Sequence, residues 1–227
     1  MTPLVLIPGM MCDARMWGGI DRELGTPVIH HIPTCADSMH DLAALFLAEA
    51  PSRFALAGLS MGGILAMEIL RLAPDRITRL ALLDTNPRDE TAAAKARRAP
   101  QIARVLAGEL DDVMRSEMKP NYLAPGPNKA AILDLCMDMA LSLGPEVFAR
   151  QSCALRDRSD QQATLADFKG PALVLMGAED RLCPLDRHQL MHQLIPQSRL
   201  HIIANAAHLP PLEQPEATAR ALRDWLA

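Results

Sequence analysis

The sequence predicts an α/β fold, a mostly parallel sheet flanked by helices and interrupted by one helical insertion. Three observations carry that expectation. Short apolar runs alternate with longer amphipathic ones over residues 1–85 and again over 169–227, the order that builds parallel βαβ units with right-handed crossovers. A Gly-rich junction, Gly58-Leu59-Ser60-Met61-Gly62-Gly63, falls between one such pair. Residues 86–168 hold no strand-like run and are rich in Ala, Arg and Met at helical spacing.

Taken in order, Pro3 to Ile7 is a continuous apolar run closed by Pro8-Gly9, suited to a strand buried on both faces. Val28 to Ile32 is a second strand, ended by Pro33. Asp37 or Ser38 caps a helix through Leu42, Leu45, Phe46 and Ala50, and Pro51 stops it. Arg53 to Ala57 is the next strand, and Ile64 to Leu72 an amphipathic helix that stops at Ala73-Pro74. Ile77 to Asp84 is a further strand.

The insertion, residues 86–168, reads as four helices: Asp89 to Gly108, disturbed at Pro100, then Leu110 to Met118, Asn128 to Leu143 and Glu146 to Asp157. Proline stretches at Pro120 and Pro125-Gly126-Pro127 punctuate them. The α/β pattern then resumes with a strand at Ala172–Met176, a helix at Leu185–Leu194, a strand at Arg199–Ile203 and a last helix at Pro215–Trp225. The simplest organisation is one core domain from residues 1–85 and 169–227, with residues 86–168 inserted.

Composition narrows the function. The chain has 227 residues, half of them apolar, and a net charge of −4, so a nucleic-acid partner is not indicated. Cys12, Cys35, Cys136, Cys153 and Cys183 are scattered, odd in number and without a C-x-x-C pair. That argues against a disulfide framework or a structural metal, and for reduced thiols in a cytoplasmic protein. The apolar start lacks the basic residues of a signal peptide and is too short to span a bilayer. No cofactor is called for.

The chemistry gathers at Ser60. Gly58 and Gly62 flank it as G-x-S-x-G, the turn that lifts a serine hydroxyl clear of a strand end and points a helix N-terminus at it. Such a serine needs a base, and the base needs an orienting acid. His208 follows a strand, on the edge of a parallel sheet where ligands bind. His30, His31 and His201 fall in strands, and His40, His188 and His192 read as solvated on or beside helices. Asp180, directly after a strand, is the expected acid; Asp84, at another strand end, competes with it. For an oxyanion, the expected donors are the backbone N–H groups of Met61 and of Met10.

Leu6-Ile7-Pro8-Gly9 with Trp17, Gly58-Leu59-Ser60-Met61-Gly62-Gly63, Gly177-Ala178-Glu179-Asp180 with Pro184, and Ala207-His208 together span nearly the whole chain. On these motifs it resembles the α/β-hydrolases, and most closely the small capped carboxylesterases that include pimeloyl-carrier-protein methyl ester esterases. The resemblance implies a helical cap at 86–168 and a triad of Ser60, Asp180 and His208. Two departures stand out. Pro8-Gly9 replaces a common His-Gly, and the N-terminus is shortened by the strand or two that usually come first, so one edge of a smaller sheet needs cover.

The expected activity is hydrolysis of a small carboxylic ester or thioester, free or carrier-protein-linked, through an acyl-enzyme. C–C bond hydrolysis or a lyase step on the same triad, and a ligand receptor with a slow triad, are the alternatives, because fold does not fix function. Met114, Met118, Met137 and Met139 either line an acyl pocket or pack helices together. Arg97, Arg98, Arg150, Arg156 and Arg158 either hold a carboxylate or carrier protein or form a solvated face.

Overall fold

In the computed structural model, which describes residues 2–227, strand β1 (Leu4–Ile7) is wholly buried. It pairs with β2 (Val28–His30) on one side and β3 (Phe54–Leu59) on the other. β4 (Ile77–Leu83), β5 (Ala172–Gly177) and β6 (Arg199–Ile203) complete a six-stranded sheet in the order β2-β1-β3-β4-β5-β6, parallel throughout. β6 coincides with its expected range, and the ends of the other strands lie within two residues of theirs. β2 is assigned only to His30, although the His31 N–H still donates to the Leu6 carbonyl of β1 at 3.0 Å, and its Ile29 lies on the open edge of the sheet.

Side chains alternate across the sheet, as a two-residue repeat demands. Val5, Ile7, Leu56, Leu80 and Val174 pack into one core, beneath α1 (Met39–Glu49) and α2 (Met61–Leu72). Leu4, Leu6, Ala57, Leu83 and Leu175 pack into a second, with Trp17 and Trp225. Ser38, rather than Asp37, caps α1: its Oγ accepts the Asp41 N–H at 3.0 Å. α2 is not simply amphipathic, since every residue from Met61 to Leu70 is buried. The one charge among them, Glu68, is held by Arg71, and Gln161 donates to it at 2.6 Å.

Between β4 and β5 the chain is helical: α3 (Ala92–Arg104), α4 (Leu110–Val113), α5 (Lys129–Leu143), α6 (Pro145–Arg156) and α7 (Gln162–Asp167). α3 starts three residues after Asp89 because Thr91 is its cap, accepting from the Ala94 N–H. Pro100 stays within α3 on an exposed face, and the break comes at Gly108, with φ of 99°. α7 is a further helix beyond the four in the pattern; at six residues it is too short to show periodicity. α8 (Leu185–Leu194), α9 (Pro210–Glu213) and α10 (Pro215–Leu226) close the fold. Among the described residues no helix is long and apolar enough to cross a membrane.

Two histidines expected to be solvated are not. His188, on α8, is fully buried rather than solvated. Burial lowers its pKa to about 4, only partly opposed by the Pro184 carbonyl, so it stays neutral near pH 7. His192 is half-buried and hydrogen-bonds Ser198 Oγ at 2.8 Å.

The tightest crossing lies where β3 turns into α2. A Cβ on Gly58 would sit 2.2 Å from the Gly62 carbonyl oxygen, and one on Gly62 would sit 2.1 Å from that of Ile7. Both obstacles are backbone and cannot swing aside. Gly62→Ala is therefore expected to cost more than about 4 kcal/mol, read as lost soluble protein or a collapsed melting temperature. A variant that melts like the parent would refute the close crossing.

Candidate active site

Ser60 sits alone in the turn between β3 and α2, with φ of 55° and ψ of −117°. That conformation is rare for a residue with a side chain and persists only where its surroundings hold it. Here they do. The Ser60 N–H donates to the Leu83 carbonyl at 2.9 Å, and its own carbonyl accepts from Thr85 Oγ1 at 2.7 Å and from the Gly63 and Ile64 N–H groups. The turn thus ties β3, α2 and the end of β4 together, and leaves the hydroxyl facing a cavity of about 630 Å³.

His208 reaches the same cavity from the loop after β6, its Nε2 2.9 Å from Ser60 Oγ. Its Nδ1 lies 2.9 Å from Asp180 Oδ2. A carboxylate only accepts, so Nδ1–H is the donor, which leaves Nε2 free to accept the Ser60 proton. Asp180 lies in the loop after β5, where its other oxygen accepts the Leu182 and Cys183 N–H groups at 2.8 and 3.1 Å. Burial alone would raise its pKa. The charge and hydrogen bond of His208 and the two backbone donors outweigh that and hold it below the ordinary carboxylate value. The structure therefore brings Ser60, His208 and Asp180 into one hydrogen-bonded line, an arrangement able to generate a serine alkoxide.

Met61 opens α2, and Met10 lies in the loop after β1. Among the described residues no protein group accepts from the backbone N–H of either. The β1 loop passes directly over the serine: a Cβ on Gly9 would stand 3.4 Å from Ser60 Cβ. Met11 holds it there with φ of 56°, its N–H donating to Gln151 Oε1 at 2.9 Å. Gln151 Nε2 in turn donates to the Pro33 carbonyl at 2.8 Å, so this α6 residue clamps the loop.

Asp84, the competing acid, is fully buried at the end of β4, in the left-handed region at φ of 43°. Its Oδ1 accepts the Gly177 N–H at 2.9 Å, and its Oδ2 has no other partner. Burial, then the nearby Asp180 charge, push its pKa well above the usual value, opposed by the Gly177 donor. Burial thus pushes the pKa of Asp84 up while His208 and two backbone donors hold that of Asp180 down, and it is Asp180 that meets the histidine.

Sequence reasoning overlooks three supports. Gln151 has a signal: it falls on the inward stripe of α6 with Val147, Phe148, Ser152 and Leu155, where an apolar residue would be ordinary. Glu213 has none, yet its carboxylate accepts the N–H groups of Ala207 and Leu209 on either side of His208, and that of Ala124. The Tyr122 carbonyl accepts the His208 N–H at 2.9 Å. Of the four methionines considered, Met118 lines the cavity, while Met114, Met137 and Met139 are buried in helix packing. Arg97, Arg98 and Arg158 line it too, whereas Arg150 binds the Thr34 carbonyl and Arg156 binds Asp157.

Asp180, Cys183 and His208 offer three ligand atoms within 4.8 Å of one another. His208 Nδ1 and both Asp180 oxygens are already committed to hydrogen bonds, and burial pushes the Cys183 thiol up, away from the thiolate a metal requires. The group fits a proton relay better than an ion.

With this geometry in place, comparison with known proteins assigns the class. The profile of the alpha/beta hydrolase family matches residues 4–221. The chain belongs to the α/β-hydrolase family and is a carboxylesterase-like hydrolase. A pimeloyl–acyl-carrier-protein methyl ester esterase of Photobacterium profundum is 30% identical to it, over 99% of this chain and 94% of that protein. A thermophilic esterase from Thermogutta terrifontis, solved with malate bound, superposes with a TM-score of 0.90 at 30% identity, covering 100% of this chain and 89% of that one. An enol-lactonase from Burkholderia xenovorans gives a TM-score of 0.86 at 21% identity over 99% and 91% of the two chains, a likeness of fold.

The carboxyl pair separates the two acids by experiment. Asp180→Asn is expected to lower ester turnover on the order of 10³–10⁴-fold, as loss of a histidine-orienting carboxylate does. Asp84→Asn keeps a neutral donor and a residue tolerant of positive φ, and should change turnover less than about threefold. Because folding raises the Asp84 pKa, the stability it lends is present below the ordinary aspartate range and is lost as pH rises toward the folded value. The melting temperature of Asp84→Asn should therefore gain on the parent as pH increases from about 4. A gain that shrinks with pH would show Asp84 to be charged.

Proposed function

We propose that this chain is a serine hydrolase that cleaves a carboxylic ester or thioester of a small acyl substrate through an acyl-enzyme. The observation that carries the reading is the unbroken line from Ser60 Oγ through His208 to Asp180, with distances of 2.9 Å at both joints. Ser60 is the nucleophile, His208 the general base and acid, and Asp180 the orienting carboxylate.

Ser60 Oγ attacks the carbonyl carbon while its proton passes to His208 Nε2. The carbonyl π pair moves onto oxygen, and that oxyanion accepts from the free N–H groups of Met10 and Met61. Asp180 steadies the imidazolium across Nδ1. Collapse expels the alcohol or thiol, which leaves with the proton from Nε2. Water then attacks the acyl-enzyme, gives a proton to His208, and the second collapse restores Ser60 and releases the acid.

Residues 86–168 act as a helical cap on a core formed by 1–85 and 169–227. Support comes from Arg98, Met118 and Tyr122, which belong to that segment and wall the cavity over Ser60. The relatives named for a carrier-protein-linked methyl ester favour a substrate of that kind, free or carrier-linked. The five unpaired cysteines fit a cytoplasmic setting.

A fluorophosphonate probe should label Ser60, and p-nitrophenyl esters of short and medium acids should be turned over. Ser60→Ala should abolish labelling and reduce turnover at least roughly 10⁴-fold. Labelling without turnover of any ester would favour a lyase or receptor on the same triad.

A further inference from the structure

We propose that Arg98 and Arg158 form an anion subsite in the cavity over Ser60, and that the substrate carries a free carboxylate in addition to its scissile ester. This rests on the ester-hydrolase reading above.

The two arginines share one counter-ion. Arg98 grips Glu90 with Nε and Nη2 at 2.7 and 3.0 Å, and Arg158 Nη1 reaches the same carboxylate at 2.9 Å. All three are withdrawn from water, their side chains 14%, 8% and 9% exposed. Burial alone would raise the Glu90 pKa, but the guanidiniums outweigh it and keep the carboxylate ionised. Two positive charges against one negative leave a surplus in a poorly hydrated site, where an unpaired charge is costly. The other acids on the cavity wall do not cancel it. Glu117 shares Arg104 with Glu109 and Asp112 and is open to solvent, which screens its charge, and Asp89 lies exposed at the rim with Arg97.

Donors remain for a ligand. Arg98 Nη1 meets only the thioether of Met10, at 3.9 Å, a weak acceptor beside the proposed oxyanion donor. Arg158 spends Nε and Nη1 on the Arg88 carbonyl, Glu90 and the Leu155 carbonyl, while its Nη2 has no partner among the described residues and is not sealed in the core. Both guanidiniums line the same cavity as Ser60 and His208. A planar carboxylate matches guanidinium forks, and about 630 Å³ holds a small diacid monoester with room for both ends.

The test pairs monomethyl esters of linear dicarboxylic acids, from succinate to suberate, with methyl esters of the matching monocarboxylic acids. The parent should prefer the charged member of at least one pair by about tenfold or more in kcat/KM, through KM. Arg98→Met and Arg158→Met should bring that ratio toward one, and Arg156→Met, on the surface, should leave it alone. Glu90→Gln, which releases both guanidiniums, should lower KM for the charged ester. Independently of turnover, calorimetry on Ser60→Ala should detect glutarate at low salt, weakened at least about tenfold by Arg98→Met. A parent that treats charged and neutral esters alike, or Ser60→Ala protein that binds no dicarboxylate, overturns the subsite. Failure to turn over p-nitrophenyl acetate would instead count against the hydrolase reading itself.

Discussion

One backbone position organises the molecule. Ser60 is held at φ of 55° because β3 and α2 meet at an angle that only glycine permits on either side, and because Leu83 and Thr85 at the end of β4 bind its N–H and carbonyl. The strain is supported by the sheet centre, where β1, β3 and the Leu80–Leu83 end of β4 are buried on both faces. The hydroxyl, the first N–H of α2 and the β1 loop consequently share one small volume. Strain kept in a fully packed core costs little further motion when chemistry occurs there.

Around that point the protein sorts its buried charges by giving each a different neighbour. Asp180 has His208 and two backbone donors, which hold its pKa down; Asp84, fully buried with the Gly177 donor alone, has its pKa pushed up. Two adjacent buried carboxylates cannot both carry charge, so the hydrogen-bond count decides which one orients the imidazole. Glu213, with three backbone N–H groups, fixes the loop that carries His208, although burial raises its own pKa. On the cavity side the sorting is incomplete, with two guanidiniums, Arg98 and Arg158, on the single carboxylate of Glu90.

Much of this was readable from residue order. The alternating apolar and amphipathic runs located all six strands, most plainly β1, β3 and β5, which are apolar throughout because they are buried on both faces. G-x-S-x-G, a loop acid and a loop histidine were readable because each follows a strand on one edge of a parallel sheet. What escaped was set by tertiary neighbours. His188 lies on a helix whose sequence looks polar, and only packing against the core removes it from water. The burial of α2 on all sides depends on the segment that brings Gln161 to Glu68. Glu213 binds backbone N–H groups in loops without periodicity, so spacing carries no trace of it, and the polar place of Gln151 on the inward stripe of α6 does not name its partner, Met11, 140 residues away.

The central claim is that the hydroxyl of Ser60, the imidazole of His208 and the N–H groups of Met10 and Met61 converge on a single reacting carbon. A crystal structure of the protein inactivated by a p-nitrophenyl phosphonate measures that convergence directly. The account predicts phosphorus bonded to Ser60 Oγ, with its phosphoryl oxygen about 3 Å from both N–H groups and the imidazole beside the leaving-group side. Phosphorus on another side chain, or a phosphoryl oxygen turned away from Met10 and Met61, would contradict it.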